Sequence, residues 1–342
     1  VAFAIVALGT STYAWFTLQG TATAGTFTAN VAAGKGLEFS IDAKGSKDYS
    51  ALNWKTTTTT DEMKTLIFGS TTDFVFSSVT SGDGVDMKTI TGNKLVSGTP
   101  GTGEQAGAAN TAAGGYISFD LHFKVTNTVS DTDIDSQDVY LDLTNSVFSS
   151  TGISWKMDAE IGETSGAYKL GETATWKAID AARISFIQAK DNLPTSAAAS
   201  EDAVTVYAPS KGNGDETQDS TNGKNGTRVE KYNIAKSFNN GTSADATTET
   251  YKVVTDVSKF ADLKYRAYAA KVWDIEKSDT TEDFVVCQCK QDATAKNLFY
   301  GTITIKIWLE GWDADCINAI MGDVCTFQFV FKVGETTTGS DD

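Results

Sequence analysis

Four carboxylates, Asp131, Asp133, Asp135 and Asp138, form the most specific polar cluster in the chain. Spaced in this way on a loop, they could converge on one calcium ion as hard oxygen ligands. Ser136 stands where an EF-hand would place its glycine and no helices flank the loop, so a solvated acidic turn competes with the calcium reading. The second candidate is sulfur chemistry. Cys287, Cys289, Cys316 and Cys325 all fall in one C-terminal stretch, which fits a local pair of disulfides and export from a reducing cytosol. Cys287 and Cys289 share a strand face and bond to each other only with strain, so each is expected to pair with Cys316 or Cys325, in either arrangement. Zinc is the rival, but Cys-X-Cys is not the usual knuckle spacing and no histidine lies near.

Catalytic constellations are missing. The one histidine, His122, occupies a polar strand position with no nucleophile motif beside it, so a serine or cysteine triad has no base to use. Nothing singles out a carboxylate pair for glycoside hydrolysis, and no glycine-rich loop opens a helix to cradle phosphate. No enzyme is expected. A formal charge of −16, from 28 Lys plus Arg against 44 Asp plus Glu, repels phosphate backbones and argues against nucleic acid as a partner.

The elements that must carry these residues are strands. In the segment 117–125, Ile117, Phe119, Leu121, Phe123 and Val125 alternate with Ser118, Asp120, His122 and Lys124, the period of a half-buried strand. Val139, Leu141 and Leu143 repeat the pattern, as do Ile184 with Phe186, Ile303 to Leu309, and Cys325 to Val333. A single helical turn, capped by Asp313 or Asp315 and ended by Gly322, is expected before the last of these. No long amphipathic helix is predicted. The implied class is all-β, a jelly-roll-like β-sandwich with long loop insertions. The polar stretches 56–60, 97–115 and 195–248 read as surface, because they cannot fill a core. Asn225 and Asn240 begin glycosylation triplets that arise readily by chance in such loops.

The first residues are apolar, and Val1, Phe3 and Ile5 alternate with Ala2 and Ala4. That spacing puts three large side chains on one strand face and suits a strand donated to a neighbouring subunit. Burying all three in a groove would stabilise a junction by about 5 to 8 kcal/mol. A signal-peptide hydrophobic region is a competing reading. A type IV pilin helix is a third, although it would be longer and the first acidic residue here is Glu38. About 16 mostly small or apolar residues interrupted by Gly9 to Thr12 fall short of a membrane span.

The run Gly9-Thr-Ser-Thr-Tyr-Ala-Trp-Phe16, followed by Ala24 to Phe27 and Leu37 to Ile41, resembles the start of the TasA and camelysin family of bacterial biofilm-matrix proteins. The resemblance covers about 40 N-terminal residues. It implies export, a jelly-roll sandwich, and fibres in which each subunit's N-terminal segment completes the sheet of the next. One departure is that this chain keeps Val1 to Leu8 ahead of the aromatic pair. The expected organisation is a donor segment, 1–20, and a sandwich domain, 21–342, with insertions near 43–115 and 195–248. The expected product is an extracellular homopolymer at the cell surface. A monomeric adhesin that binds matrix polysaccharide or another surface ligand through Trp54, Trp155 or Trp176 is the alternative, although such tryptophans are more often core.

Overall fold

The computed structural model describes residues 22–32, 36–42, 48–81, 83–89, 109–110, 115–128, 134–156, 171–194, 201–209, 283–310, 316 and 320–334. In chain order the strands are β1 (Thr23–Val31), β2 (Leu37–Asp42), β3 (Phe74–Val75), β4 (Ser78–Thr80), β5 (Lys88–Thr89), β6 (Ile117–Thr126), β7 (Ser136–Leu141), β8 (Val147–Ser150), β9 (Ile153–Lys156), β10 (Thr173–Trp176), β11 (Ala182–Gln188), β12 (Ala203–Tyr207), β13 (Phe284–Gln291), β14 (Leu298–Glu310) and β15 (Val324–Val333). One α-helix, α1 (Thr60–Phe68), lies between β2 and β3.

The two-residue period sets which side chains go inside. All five odd-numbered apolar residues of β6 are buried, as are Ile303, Ile305, Ile307 and Leu309 on β14 and Cys325, Phe327, Phe329 and Phe331 on β15. Pairing these faces gives a curled sheet of 13 strands, with β9 and β10 as a separate pair. One half runs β12-β11-β14-β6-β2, antiparallel throughout. The other runs β13-β7-β15-β1-β3, with β8 continuing beside β15 after β7. Rings interlock across the space between the halves: Phe27 meets Phe119 at 5.5 Å, Phe123 meets Phe331 at 5.0 Å and Phe186 meets Phe329 at 6.3 Å. The all-β class is therefore what the alternation implied. Two pairings, β1 with β15 and β4 with β14, are parallel, a departure from the antiparallel strands of which a jelly roll is built.

The halves join through the β13–β14 hairpin, where Lys290 faces Tyr300 and Gln291 faces Phe299. The turn is fixed by Asp292, whose Oδ1 accepts from the Thr294 and Ala295 N–H groups at 2.8 Å and from the Thr294 hydroxyl at 2.7 Å, an Asx turn. Beyond the hairpin β13 diverges from β14, and a side chain of β11 bridges to it. The buried Gln188 donates from Nε2 to the Gln288 carbonyl and accepts the Gln288 N–H at Oε1, both at 2.8 Å. Its amide pairs with β13 as a peptide group of a neighbouring strand would.

Several expected surface stretches are structural. Thr58, within 56–60, is buried and exchanges hydrogen bonds with Ala29 through its hydroxyl. The region near 43–115 contains α1, β3, β4 and β5 rather than being only an insertion. Within 195–248, β12 pairs along its whole length with β11 and buries Val206 and Tyr207. The helix was not expected, although its signals are local. Thr59 accepts the Glu62 N–H, as an N-cap does, and Gly69 ends the helix with φ 70° in the left-handed region. Of the helical turn expected before β15, Gly322 lies in a turn at φ 81°; Asp313 and Asp315 fall outside the described residues.

Candidate functional site

The first question is where a strand could be added. Val1, Phe3 and Ile5 lie outside the described residues, and β1, the first described strand, is closed on both sides. One side pairs with β15 from Thr23 to Val31. On the other, β3 takes Thr23 and Ala24, and the Thr58 and Val31 N–H groups reach the carbonyls of Ala29 and Thr56. Between these ends α1 covers the strand. Lys64 Nζ donates to the Gly25 carbonyl at 2.7 Å while paired with Asp73, and the Phe27 N–H donates to Thr60 Oγ1 at 3.4 Å.

Among the described residues β3, β5 and β8 are short edge strands, and a further open edge lies at the other end of the sheet path. β12 pairs with β11 on one side, and among the described residues no strand lies on its outer side. Ala203 and Val204 are exposed there, so a short apolar strand presents unpaired backbone groups, the ordinary template for strand addition.

The carboxylate cluster is only partly described. Asp131 and Asp133 fall outside the described residues, Asp135 is exposed ahead of β7, and Asp138 is half-buried within it. Three positions apart in extended chain, Asp135 and Asp138 point to opposite faces. Among the described residues no group of three or more His, Cys, Asp or Glu is placed to hold a metal ion.

The cysteines are arranged differently from expectation. All four are buried thiols. Cys287 pairs with Val139 and Val139 with Val333, while Cys325 lies eight positions back along β15. At about 3.3 Å per residue the separation along the sheet is roughly 25 Å, against a Cα limit of about 7 Å for a bridge. A bond from Cys287 or Cys289 to Cys325 is therefore excluded, which leaves Cys316 as the expected partner that this register does not address. Cys287 and Cys289 instead share one face of β13, with their sulfurs brought together above Gly301. Their sulfurs lie 2.4 and 2.9 Å from the point a Cβ on Gly301 would occupy, so only glycine fits there on β14. Burial, then the Cys289 thiol, push the Cys287 thiol well above the ordinary range.

His122 lies under a cover of aromatic rings. It is fully buried on the outer face of β6, with Nδ1 2.7 Å from Thr302 Oγ1, which in turn meets Tyr49 Oη at 3.1 Å. Tyr49 stacks on Tyr300 at 4.7 Å, Trp54 leans on Tyr300 at 5.9 Å, and Lys124 sits over the Trp54 ring while paired with Glu38. The segment 49–54 thus roofs this end of the face. At the other end Trp308 joins Val79, Met87 and Val206 in a second small core and donates to the buried Glu310 carboxylate at 3.0 Å. Trp176 is buried and Trp155 packs against the main core; Trp54 alone of the three tryptophans belongs to an outer-face cluster.

Asp323 is a hub that the sequence did not single out. Its carboxylate accepts from the Thr151 hydroxyl at 2.6 Å and from the N–H groups of Gly152, Ala178 and Val324 at 2.8 to 2.9 Å. Burial alone would raise its pKa. The donors of Ala178, Thr151, Ser150 and Gly152 together outweigh that and hold it below the usual value.

No family model, curated protein or solved structure matches the chain. Among the described residues no helix is long and apolar enough to cross a membrane.

Proposed function

We propose that the chain is a structural subunit of an extracellular filament, exported to the cell surface and polymerised by donation of its N-terminal segment to a neighbouring copy. The observation that carries this reading is the open edge of β12, set against the full closure of β1. A donated strand carrying Val1, Phe3 and Ile5 on one face needs an unpaired edge on the next subunit, and β12 offers one. The N-terminal likeness to the biofilm-matrix fibre proteins supports the same reading and supplies the expectation of export.

Negative-stain electron microscopy of the purified chain beside a version lacking Val1 to Leu8 tests it. Filaments from the intact chain alone support strand donation. Filaments from both would move the contacts to the sheet surface and end the mechanism. A monomeric adhesin for matrix polysaccharide is the second reading, favoured by the Tyr49, Trp54 and Tyr300 cluster on the outer face. It requires that the shortened chain stay monomeric and retain polysaccharide binding that Trp54→Ala abolishes.

A further inference from the structure

We propose that Cys287 and Cys289 form a two-coordinate site for a soft monovalent cation of the copper(I) class. Three features of the structure converge on it, and none depends on how subunits assemble.

The first is geometry. The two cysteines sit two positions apart on β13, and their sulfurs crowd the same point above Gly301, 2.4 and 2.9 Å from it. Metal–thiolate bonds are about 2.3 Å long, so two thiolates sharing one ion stand about 4 to 4.6 Å apart. Two sulfurs within 2.4 and 2.9 Å of one point are close enough to reach that span by small rotations. The missing side chain on β14 gives the two sulfurs the space that they share.

The second is an orphaned donor. Gln137 faces Cys289 directly across the β7–β13 pair, so both side chains lie on the same face. Gln137 is 4% exposed, and its Nε2 has no hydrogen-bond partner. A buried amide donor left unpaired is costly. Beside a thiolate it gains an anionic acceptor, the kind of outer-shell contact that tunes a metal's ligands.

The third is ligand number and type. No set of three or more His, Cys, Asp or Glu surrounds the pair among the described residues, so an ion that demands four ligands is poorly served. Soft thiolates select copper(I), for which two sulfurs suffice. Binding converts two thiols to thiolates and releases two protons, while the copper remains monovalent throughout. Both sulfurs are buried, so loading accompanies folding rather than following it.

The test is to refold the full chain without oxygen in the presence of copper(I) supplied as its acetonitrile complex, with silver(I) as a redox-inert stand-in. Native mass spectrometry should find one ion per chain, retained against excess glutathione. X-ray absorption at the copper edge should find two sulfur neighbours at about 2.2 to 2.3 Å. Cys287→Ser and Cys289→Ser should each lose the ion, whereas Cys325→Ser should keep it. Gln137→Leu should bind about 10- to 100-fold more weakly. Three or more sulfur or any oxygen neighbours, or an ion kept by the Cys287→Ser/Cys289→Ser double variant, would overturn the assignment. So would a chain that takes up no copper on refolding. The absorption measurement uses the unmodified chain, so it decides the matter even where a serine variant fails to fold.

Discussion

Replacing Gln188 with leucine isolates a place where a side-chain amide substitutes for a strand. The glutamine amide makes three hydrogen bonds: two with the Gln288 backbone at 2.8 Å and one to the Asn192 carbonyl at 3.1 Å. Each is worth about 0.5 to 1.5 kcal/mol net, and a buried backbone group left without a partner costs about 1 to 3 kcal/mol more. Gln288 is half-buried, so water can recover part of that loss. The leucine fills a similar volume, which leaves an expected destabilisation of about 2 to 4 kcal/mol. Gln188→Glu separates polarity from packing. It keeps an acceptor for the Gln288 N–H but sets a carboxylate oxygen against the Gln288 and Asn192 carbonyls, so it should also destabilise, and recover as acid protonates the new carboxylate. Urea unfolding followed by tryptophan fluorescence reads both variants as shifts in midpoint at constant slope. A Gln188→Leu midpoint within about 0.5 kcal/mol of the parent, the range of an ordinary surface change, would refute the idea that this amide holds the two halves together.

Three further outcomes follow from the same structure. Gly301→Ala puts a methyl group 2.4 Å from Cys287 Sγ and 3.2 Å from the Cys289 backbone, and should cost about 1 to 3 kcal/mol by overpacking in thermal unfolding. Asp323 has its pKa depressed in the folded chain, so its contribution is present above the unfolded carboxylate value of about 3.9 and is lost as pH falls through the lower folded value. Asp323→Asn should therefore lower stability at neutral pH and flatten its decline in acid, as read by unfolding midpoints from pH 7 downward. Thr59→Ala removes the acceptor for the Glu62 N–H and should cost about 1 kcal/mol, with faster hydrogen exchange in α1 and at Gly25 to Thr28 of β1.

The strands were legible because alternation is a local signal. β6 and β14 place every apolar residue of their odd positions in the core and β15 does so for all but the partly buried Val333, and nothing distant is needed to read that. The outer face was not legible for the opposite reason. His122, Trp308 and Glu310 occupy positions that alternation assigns to solvent, yet they are buried by pieces far away in sequence. Thr302 meets Tyr49 across 253 residues, and Glu310 meets Ser81 across 229. The helix α1 escaped because its buried side is Met63, Lys64 and Ile67, too little apolar surface for a stripe, although Thr59, Glu62 and Gly69 marked its ends. Nearness in sequence misled the cysteine pairing. Cys325 follows Cys287 by 38 positions, but the register of β7 and β15 carries the two to opposite ends of the sheet. The Gln188 bridge carries no local signal; it depends on where β11 and β13 diverge.

Complementation between two disabled chains bears most directly on polymerisation by strand donation. One chain lacks Val1 to Leu8 and keeps an intact β12; the other keeps its N-terminal segment and carries Val204→Lys on the β12 edge, where a charge opposes strand addition. Light scattering and electron microscopy should find each alone monomeric and an equimolar mixture arrested as heterodimers, one donor to one acceptor. Filaments from either chain alone, or a mixture that stays monomeric while the parent polymerises, would contradict donation from the N-terminal segment to β12.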